Sequence, residues 1–484
     1  MRALPPNLTL VSVAVMLAWA LVRAARFGVR GAPSAGDLPR RILSRRAMPV
    51  FLAGACANIA FSALTGYINP RDYVQDVVAA RQFLRHETMY PQDLPRMGTA
   101  ELSAAIPGRE VLRRLPIVHD ELNSLTEAPA PANAHPPLVG IVLAVPVLVL
   151  GLRGSFVLVL LLSIVLMYLT MAAILHELFM PLRRVELYAL MGLVFGWYPV
   201  GAALRSGQPA IVLFALITAG WLMLRRNRPW IAGAAIGLAA CIHAFPALFL
   251  LYFAIRWRRA LVAGLGTIAL LTAAAAGLTT RGTFRQWLNT ADALAQRFVP
   301  RVGNLSVAGQ VTTFCRGAGW SVSANAVAPV MLLVIAVALA VFLRPWNRGN
   351  LGLERLDAEY SVFAAAMLLA SPMSWVRYLP IMLLPVAVVI RNWRQRPPAW
   401  APPALLAALL FLSVPDATLF WAYGWLARNL GFAAAWLGAA MSSLSILAIL
   451  FWLRSPRSPA AGADRAAAWA TPKNEGREPA EIAS

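Results

Sequence analysis

Apolar residues in this 484-residue chain come in blocks. The blocks fall near residues 8–24, 48–67, 137–151, 155–178, 187–203, 209–224, 230–255, 260–278, 326–343, 358–371, 378–390, 402–419 and 430–453. A helix crosses a bilayer with about 20 apolar residues, and with fewer where it is buried in protein. The pattern therefore predicts an all-α integral membrane protein. We expect a polytopic bundle of roughly 11–13 transmembrane helices with a large outer loop carrying juxtamembrane helices.

Composition agrees. The chain is 59% hydrophobic and only 13% charged, whereas soluble domains are about a quarter charged. The net charge of +22 would suggest nucleic acid in a soluble protein. Here the arginines sit in short loops between apolar runs: Arg40, Arg41, Arg45 and Arg46; Arg183 and Arg184; Arg225, Arg226 and Arg228; Arg256, Arg258 and Arg259; Arg344 and Arg348; Arg391, Arg394 and Arg396; Arg454 and Arg457. That is the positive-inside signature, and such loops favour anionic lipid headgroups. Membrane lipids, not nucleic acid, are the expected surroundings. Lys473 is the one lysine, so no phosphate loop ending in Lys-Ser/Thr is possible, and no dinucleotide fingerprint is present. Cys56, Cys241 and Cys315 are scattered and show no metal-ligand spacing. No cofactor is implied.

Placing the basic loops inside fixes parity. Residues 69–136 must then lie outside. One crossing is needed between them and Arg183, so 137–151 reads as re-entrant or interfacial and 155–178 as the crossing. The run 230–255 is basic at both ends and must be a hairpin of two half-length helices, with His243-Ala244-Phe245-Pro246 at its apex. The pair 358–371 and 378–390 behaves likewise, with Ser371–Tyr378 at the outer tip. Three parts result: residues 1–47, an uncleaved anchor and a basic cytoplasmic loop; 48–453, the membrane domain with outer loops 69–136 and 279–325; and 454–484, a disordered cytoplasmic tail. The start of loop 69–136 has helical spacing up to about Tyr90 and reads as an amphipathic helix on the outer leaflet.

Every polar cluster outside the basic loops falls on the outer face. An ion-coupled transporter keeps charge near mid-bilayer, and these spans hold almost none, which favours chemistry at one surface. Asp72 and Asp76 are one helical turn apart and share a face. Asp72 is the candidate general base for a hydroxyl, with about 10²–10⁴-fold to contribute; as an alternative it offsets a helix dipole. Arg377 is the first candidate to hold an anion, since a guanidinium clamps one with two hydrogen bonds. Arg205 and His243 come second. Asp76, His135, Gln208, Asn304, Gln310, Trp375 and Tyr378 offer hydrogen bonds and ring faces to a polar ligand. Each has a plainer reading: His243 as a core histidine, Arg377 as a snorkelling anchor, Trp375 and Tyr378 as interfacial aromatics, Asn304 and Gln310 as caps.

Several of these elements occur in the order found in polyprenyl-phosphate-dependent C-type glycosyltransferases, and the chain most resembles glycosyltransferase family 87. They are Asp72-Tyr73 with Met89-Tyr90-Pro91, His135-Pro136-Pro137, Gly207-Gln208, Ala232-Gly233 with Gly237-Leu238-Ala239, Asn304-Leu305-Ser306, and Ser371-Pro372 with Ser374-Trp375. The resemblance extends from about residue 48 to about 396. It implies transfer of mannose or a related sugar from a polyprenyl-phosphate donor to a glycolipid or glycan hydroxyl. On that reading Arg377, then Arg205 and His243, are the candidates for the donor phosphate. Asp76, His135, Gln208, Asn304, Gln310, Trp375 and Tyr378 are the candidates for sugar and acceptor contacts. It also implies inversion at the sugar carbon and a periplasmic or extracellular active face of the inner (plasma) membrane. The chain departs from the family at His243, where a lysine is common, and at Arg377-Tyr378, where a histidine pair is common. A lipid-linked-sugar flippase or a surface-polysaccharide ligase or polymerase are the competing readings.

Overall fold

The computed structural model describes residues 48–68, 70–90, 133, 135–179, 184–343, 352–393, 401–414 and 416–454. These residues form helices joined by turns, and no strand occurs among them. The anchor, most of loop 69–136 with His119, Asp120 and Glu121, and the tail from 455 lie outside the described residues.

The first described helix, α1 (Met48–Ile68), ends before Pro70, and α2 (Arg71–Leu84) starts immediately after it. A proline lacks the N–H that would continue α1 yet suits the position before a new helix. α2 is followed by α3 (Pro137–Phe179), which is broken at Gly151 (φ 68°, ψ −170°). Only glycine adopts that conformation without strain. The predicted division of 137–178 into two pieces thus has its physical seat at Gly151. Next come α4 (Arg184–Gly196) and α5 (Tyr198–Ser206), bent 61° relative to each other at Trp197. At the bend the Phe195 carbonyl faces Pro199, which has no N–H to give, and buried Asn58 of α1 takes it up: its Nδ2 donates to Phe195 O at 2.7 Å and also reaches Trp197 O at 3.3 Å.

α6 (Ala210–Arg225) and α7 (Pro229–Ile242) follow. A short 3₁₀ turn (Phe245–Leu248) then leads into α8 (Phe249–Arg256) and α9 (Arg258–Leu278). The expected hairpin over 230–255 is present, broken at His243-Ala244. α7 lies directly on α9. A Cβ at Gly233 would overlap the Ala260 carbonyl, and one at Gly237 would sit 2.6 Å from Gly264 O. Glycines four apart let two backbones touch, a common packing device in membranes. That is the work of the Ala232-Gly233 and Gly237 element.

The remaining helices are α10 (Thr283–Phe298), α11 (Val307–Gly317), α12 (Ala324–Leu343), α13 (Leu353–Ala370), a 3₁₀ segment (Val376–Met382) continuing into α14 (Leu383–Trp393), α15 (Ala401–Leu412), α16 (Asp416–Leu430) and α17 (Phe432–Arg454). α13 is central, buried without interruption from Leu356 to Ala370. Trp221, Tyr252, Phe249, Tyr360 and Phe363 pack in the core around it. α9 and α12 instead expose large apolar side chains such as Val262, Leu270, Leu333 and Val341, the composition of a lipid-facing surface.

Six described helices are long and apolar enough to cross a membrane alone, seven if the bent α4–α5 pair counts as one. The larger expected number counted every apolar run. Several runs are instead short helices, among them α6, α7 and the Phe245–Arg256 piece, and the first run is outside the described residues. The run 402–419 is cut between α15 and α16. Another difference concerns α2. It was expected to lie on the leaflet with one face in lipid, but Tyr73 to Ala80 are buried on every side, chiefly against α3.

Candidate active site

The helices carry two polar clusters, one at each end. At the arginine-rich end, the buried carboxylate of Asp357 accepts from Trp221 Nε1 (2.8 Å), Arg225 (2.6 Å) and Arg391. Buried Glu359 pairs with Arg256 and Arg355 at 2.8 and 2.9 Å. α6 ends at Arg225, α7 begins beside Arg228, α8 returns to Arg256 and α13 begins just before Asp357. Followed to their other ends, the same helices lead to Gln208, His243 and Ser371. α6 is about 24 Å long at 1.5 Å per residue, so the two clusters are separated by roughly the thickness of the hydrocarbon core.

At this second end, Asp72 in the first turn of α2 accepts a hydrogen bond from Arg377 Nη1 at the start of the 3₁₀ segment. The pair is half-buried, and its members are 305 residues apart in sequence. One turn further along α2, Asp76 is buried and 2.8 Å from Nδ1 of His135, which is also buried. His135 is fixed from three sides: its ring by Asp76, its N–H by Asn133 Oδ1 (2.8 Å) and its carbonyl by the Tyr90 hydroxyl (2.6 Å). Burial, with the Asp76 charge adding to it, raises the Tyr90 phenol well above its usual range, so Tyr90 stays a donor.

His243 occupies the break between α7 and the 3₁₀ turn. Its ring centroid is 5.9 Å from that of His135, 4.5 Å from Phe245 and 5.2 Å from Tyr378. The Tyr378 hydroxyl donates to Gln208 Oε1 at 3.3 Å. Gln208 follows Gly207, which caps α5 at φ 63°. A Cβ there would press on Phe156 and Tyr73 at 3.0 Å, so the Gly207-Gln208 step needs glycine for both conformation and room. Arg205 lies in the last turn of α5, half-buried. Burial first, then the charges of His135 and Arg377, push the His243 imidazole down from the usual 6.5 to about 3.

Seven predicted residues, Asp72, Asp76, His135, Gln208, His243, Arg377 and Tyr378, thus form one connected group. Asn304 is a correction. It is fully buried and its amide is saturated: Nδ2 donates to Val299 O and Pro372 O, and Oδ1 accepts from the N–H groups of Ser306 and Ser374. No capacity remains for a sugar. It clasps the 299–306 loop to the Ser371–Trp375 tip, and Leu305 N donates to Ser374 O. Gln310 joins that frame through Nε2 to Asn304 O at 2.7 Å. Trp375 is half-buried, edge-on to Phe298. Asn58, Tyr90 and Phe245 escaped the sequence reading. The acids Asp357 and Glu359, placed ahead of an apolar run in an arginine-rich chain, were a legible sign of the opposite cluster.

Among the described residues, no three His, Cys, Asp or Glu side chains are grouped to hold a metal ion. An open cleft of about 110 Å³ lies further along, between Phe83, His86 and Glu87 after α2 and Leu278–Thr280 after α9.

The model of glycosyltransferase family 87 matches residues 134–372. His135, Arg205, Gln208, His243, Asn304 and Gln310 lie within that stretch; Asp72 lies before it and Arg377 after it. A polyprenol-phosphate-mannose-dependent alpha-(1-2)-phosphatidylinositol mannoside mannosyltransferase of Mycobacterium tuberculosis is 26% identical over 232 residues, 45% of this chain and 49% of that protein. The match thus spans about half the length of the curated relative. No solved structure matches the chain. The polytopic helical fold and the family match agree: over residues 134–372 the chain is similar to glycosyltransferase family 87.

Proposed function

We propose that this protein moves mannose or a related sugar from a polyprenyl-phosphate donor to a hydroxyl of a glycolipid or glycan, at the outer face of the plasma (inner) membrane. The family match and the donor and acceptor named for the mycobacterial relative support this reading. The observation that carries it is the meeting of Asp72 with Arg377. A carboxylate able to take a proton and a guanidinium able to hold a phosphate come from opposite ends of the membrane domain to one spot. The arginine-rich cluster at the other end of the same helices supports the outer location.

The chemistry is a single displacement. The donor phosphate takes over the guanidinium of Arg377, with Arg205 nearby as a second cation, and Asp72 is released. The acceptor oxygen attacks the anomeric carbon while Asp72 takes its proton. The new C–O bond forms as the bond from carbon to phosphate oxygen breaks, and the departing polyprenyl phosphate keeps the electron pair. Arg377 neutralises the charge developing on it. Attack opposite the leaving group inverts the carbon. Holding base, phosphate and sugar together supplies the orientation that two lipids in a membrane lack.

Purified wild type and Asp72→Asn, given radiolabelled polyprenyl-phosphate mannose and a membrane-lipid extract, test the reading. Wild type should transfer label. The variant should fold, bind donor and lose about 10²–10⁴-fold in rate. Equal transfer by both proteins removes Asp72 from the mechanism.

A further inference from the structure

His243 stands where the family resemblance places a phosphate-binding cation, yet its surroundings are wrong for one. The carboxylates on this end are engaged: Asp76 with His135, and Asp72 with Arg377. The charged or titratable groups facing His243 from packed elements are His135, Arg377 and the Tyr378 phenol. Its closest ring neighbours are Phe245 and Tyr378. A second cation beside Arg377, walled by aromatic rings, would be desolvated and repelled. Nδ1 of His243 is buried and has no hydrogen-bond partner among the described residues. Buried polar atoms are nearly always paired, and an orphan one beside a reaction site points to a missing ligand. A neutral imidazole offers one donor and one acceptor. That pair of roles matches a hydroxyl, which also both gives and accepts.

We propose that His243 reads the transferred sugar: as a neutral imidazole, its Nδ1 makes a hydrogen bond with a hydroxyl of the donor's sugar ring while Phe245 and Tyr378 wall the ring's apolar face. Tyr378 adjoins Arg377 in the chain, so a sugar ester-linked to a phosphate on Arg377 lies within reach of this wall. The inference rests on the donor class proposed above. It separates two tasks that a lysine at this position would merge: Arg377 holds the phosphate, and His243 selects the sugar.

The test measures binding of two probes, polyprenyl phosphate and polyprenyl-phosphate mannose, to wild type, His243→Leu, His243→Gln and His243→Lys. Wild type should prefer the mannosyl ester. His243→Leu should bind bare polyprenyl phosphate as wild type does and lose roughly tenfold on the ester, the worth of about one hydrogen bond. Glutamine, with its own donor and acceptor, should restore most of the preference, and lysine should not. The proposal is overturned if leucine weakens both probes alike and lysine restores both, since His243 then serves the phosphate. It is equally overturned if no substitution changes the preference. Should the leucine variant melt early, the glutamine–lysine comparison decides alone. Wild type that binds neither probe rejects the donor class, and this inference with it.

Discussion

At the scale of single residues, the site works by pairing groups that would otherwise be costly. Asp76 and His135 are both buried, and each answers the other's hydrogen-bonding need. Asp72 and Arg377 are half-exposed and pair across a surface that water reaches. That contact is therefore worth little as a stabiliser, which suits the exchange for a donor phosphate that we propose. His243 is held neutral, at about 3, which has a consequence for stability. The unfolded chain takes up a proton on this histidine as pH falls through the usual 6.5, and the folded protein does not. The stabilisation is complete above pH 6.5 and declines as pH drops toward 3. Melting curves in detergent between pH 7.5 and 5 should fall more steeply for wild type than for His243→Gln. Identical slopes would mean that the folded protein protonates His243 as readily as the unfolded chain does.

At the scale of elements, breaks in helices matter as much as the helices. The α4–α5 bend brings Gly207 and Gln208 to the site, and Asn58 holds that bend by bonding the freed Phe195 carbonyl and reaching that of Trp197. Asn58→Leu should leave the Phe195 carbonyl buried and unpaired, lowering stability by about 1–3 kcal/mol. Thermal unfolding measures this, and an unchanged melting point would show that other groups satisfy the bend. The hairpin of α7 and α8 was legible in the sequence because basic residues flank both ends and Pro246 marks the turn. The Gly233–Gly237 spacing was visible too, but its use was not: only the contact with Ala260 and Gly264 of α9 shows that it is packing.

At the scale of the whole molecule, charge is sorted to two ends. Asp357 and Glu359 gather arginines from α6, α8, α13 and α14 at one end, and the glycosyl-transfer candidates gather at the other. The orientation this implies can be read directly. In a protein with Cys56, Cys241 and Cys315 replaced by serine, a cysteine at exposed Arg281 should react with an impermeant maleimide in intact cells. One at exposed Arg226 should react only after the membrane is opened. The reverse pattern would put the site on the cytoplasmic side and exclude a periplasmic or extracellular donor.

The sequence by itself determined that this is an all-α membrane protein, where its main breaks fall and which end of each helix carries arginine. These follow from the hydropathy of short stretches and from the cost of moving charge across a bilayer, both local properties of the chain. It also supplied Asp72, Arg377, His135 and Gln208 as candidates, because polar residues beside apolar runs are rare enough to notice. Only the tertiary structure decided which of them meet and what surrounds each. Asn304 looked like a sugar ligand and is a saturated clasp; α2 looked like a surface helix and is buried; His243 looked like a cation and is neutral. Each of these depends on neighbours tens to hundreds of residues away. Hydrogen-bond saturation, burial and electrostatic environment are set by what packs against a side chain, and no local stretch of sequence records that.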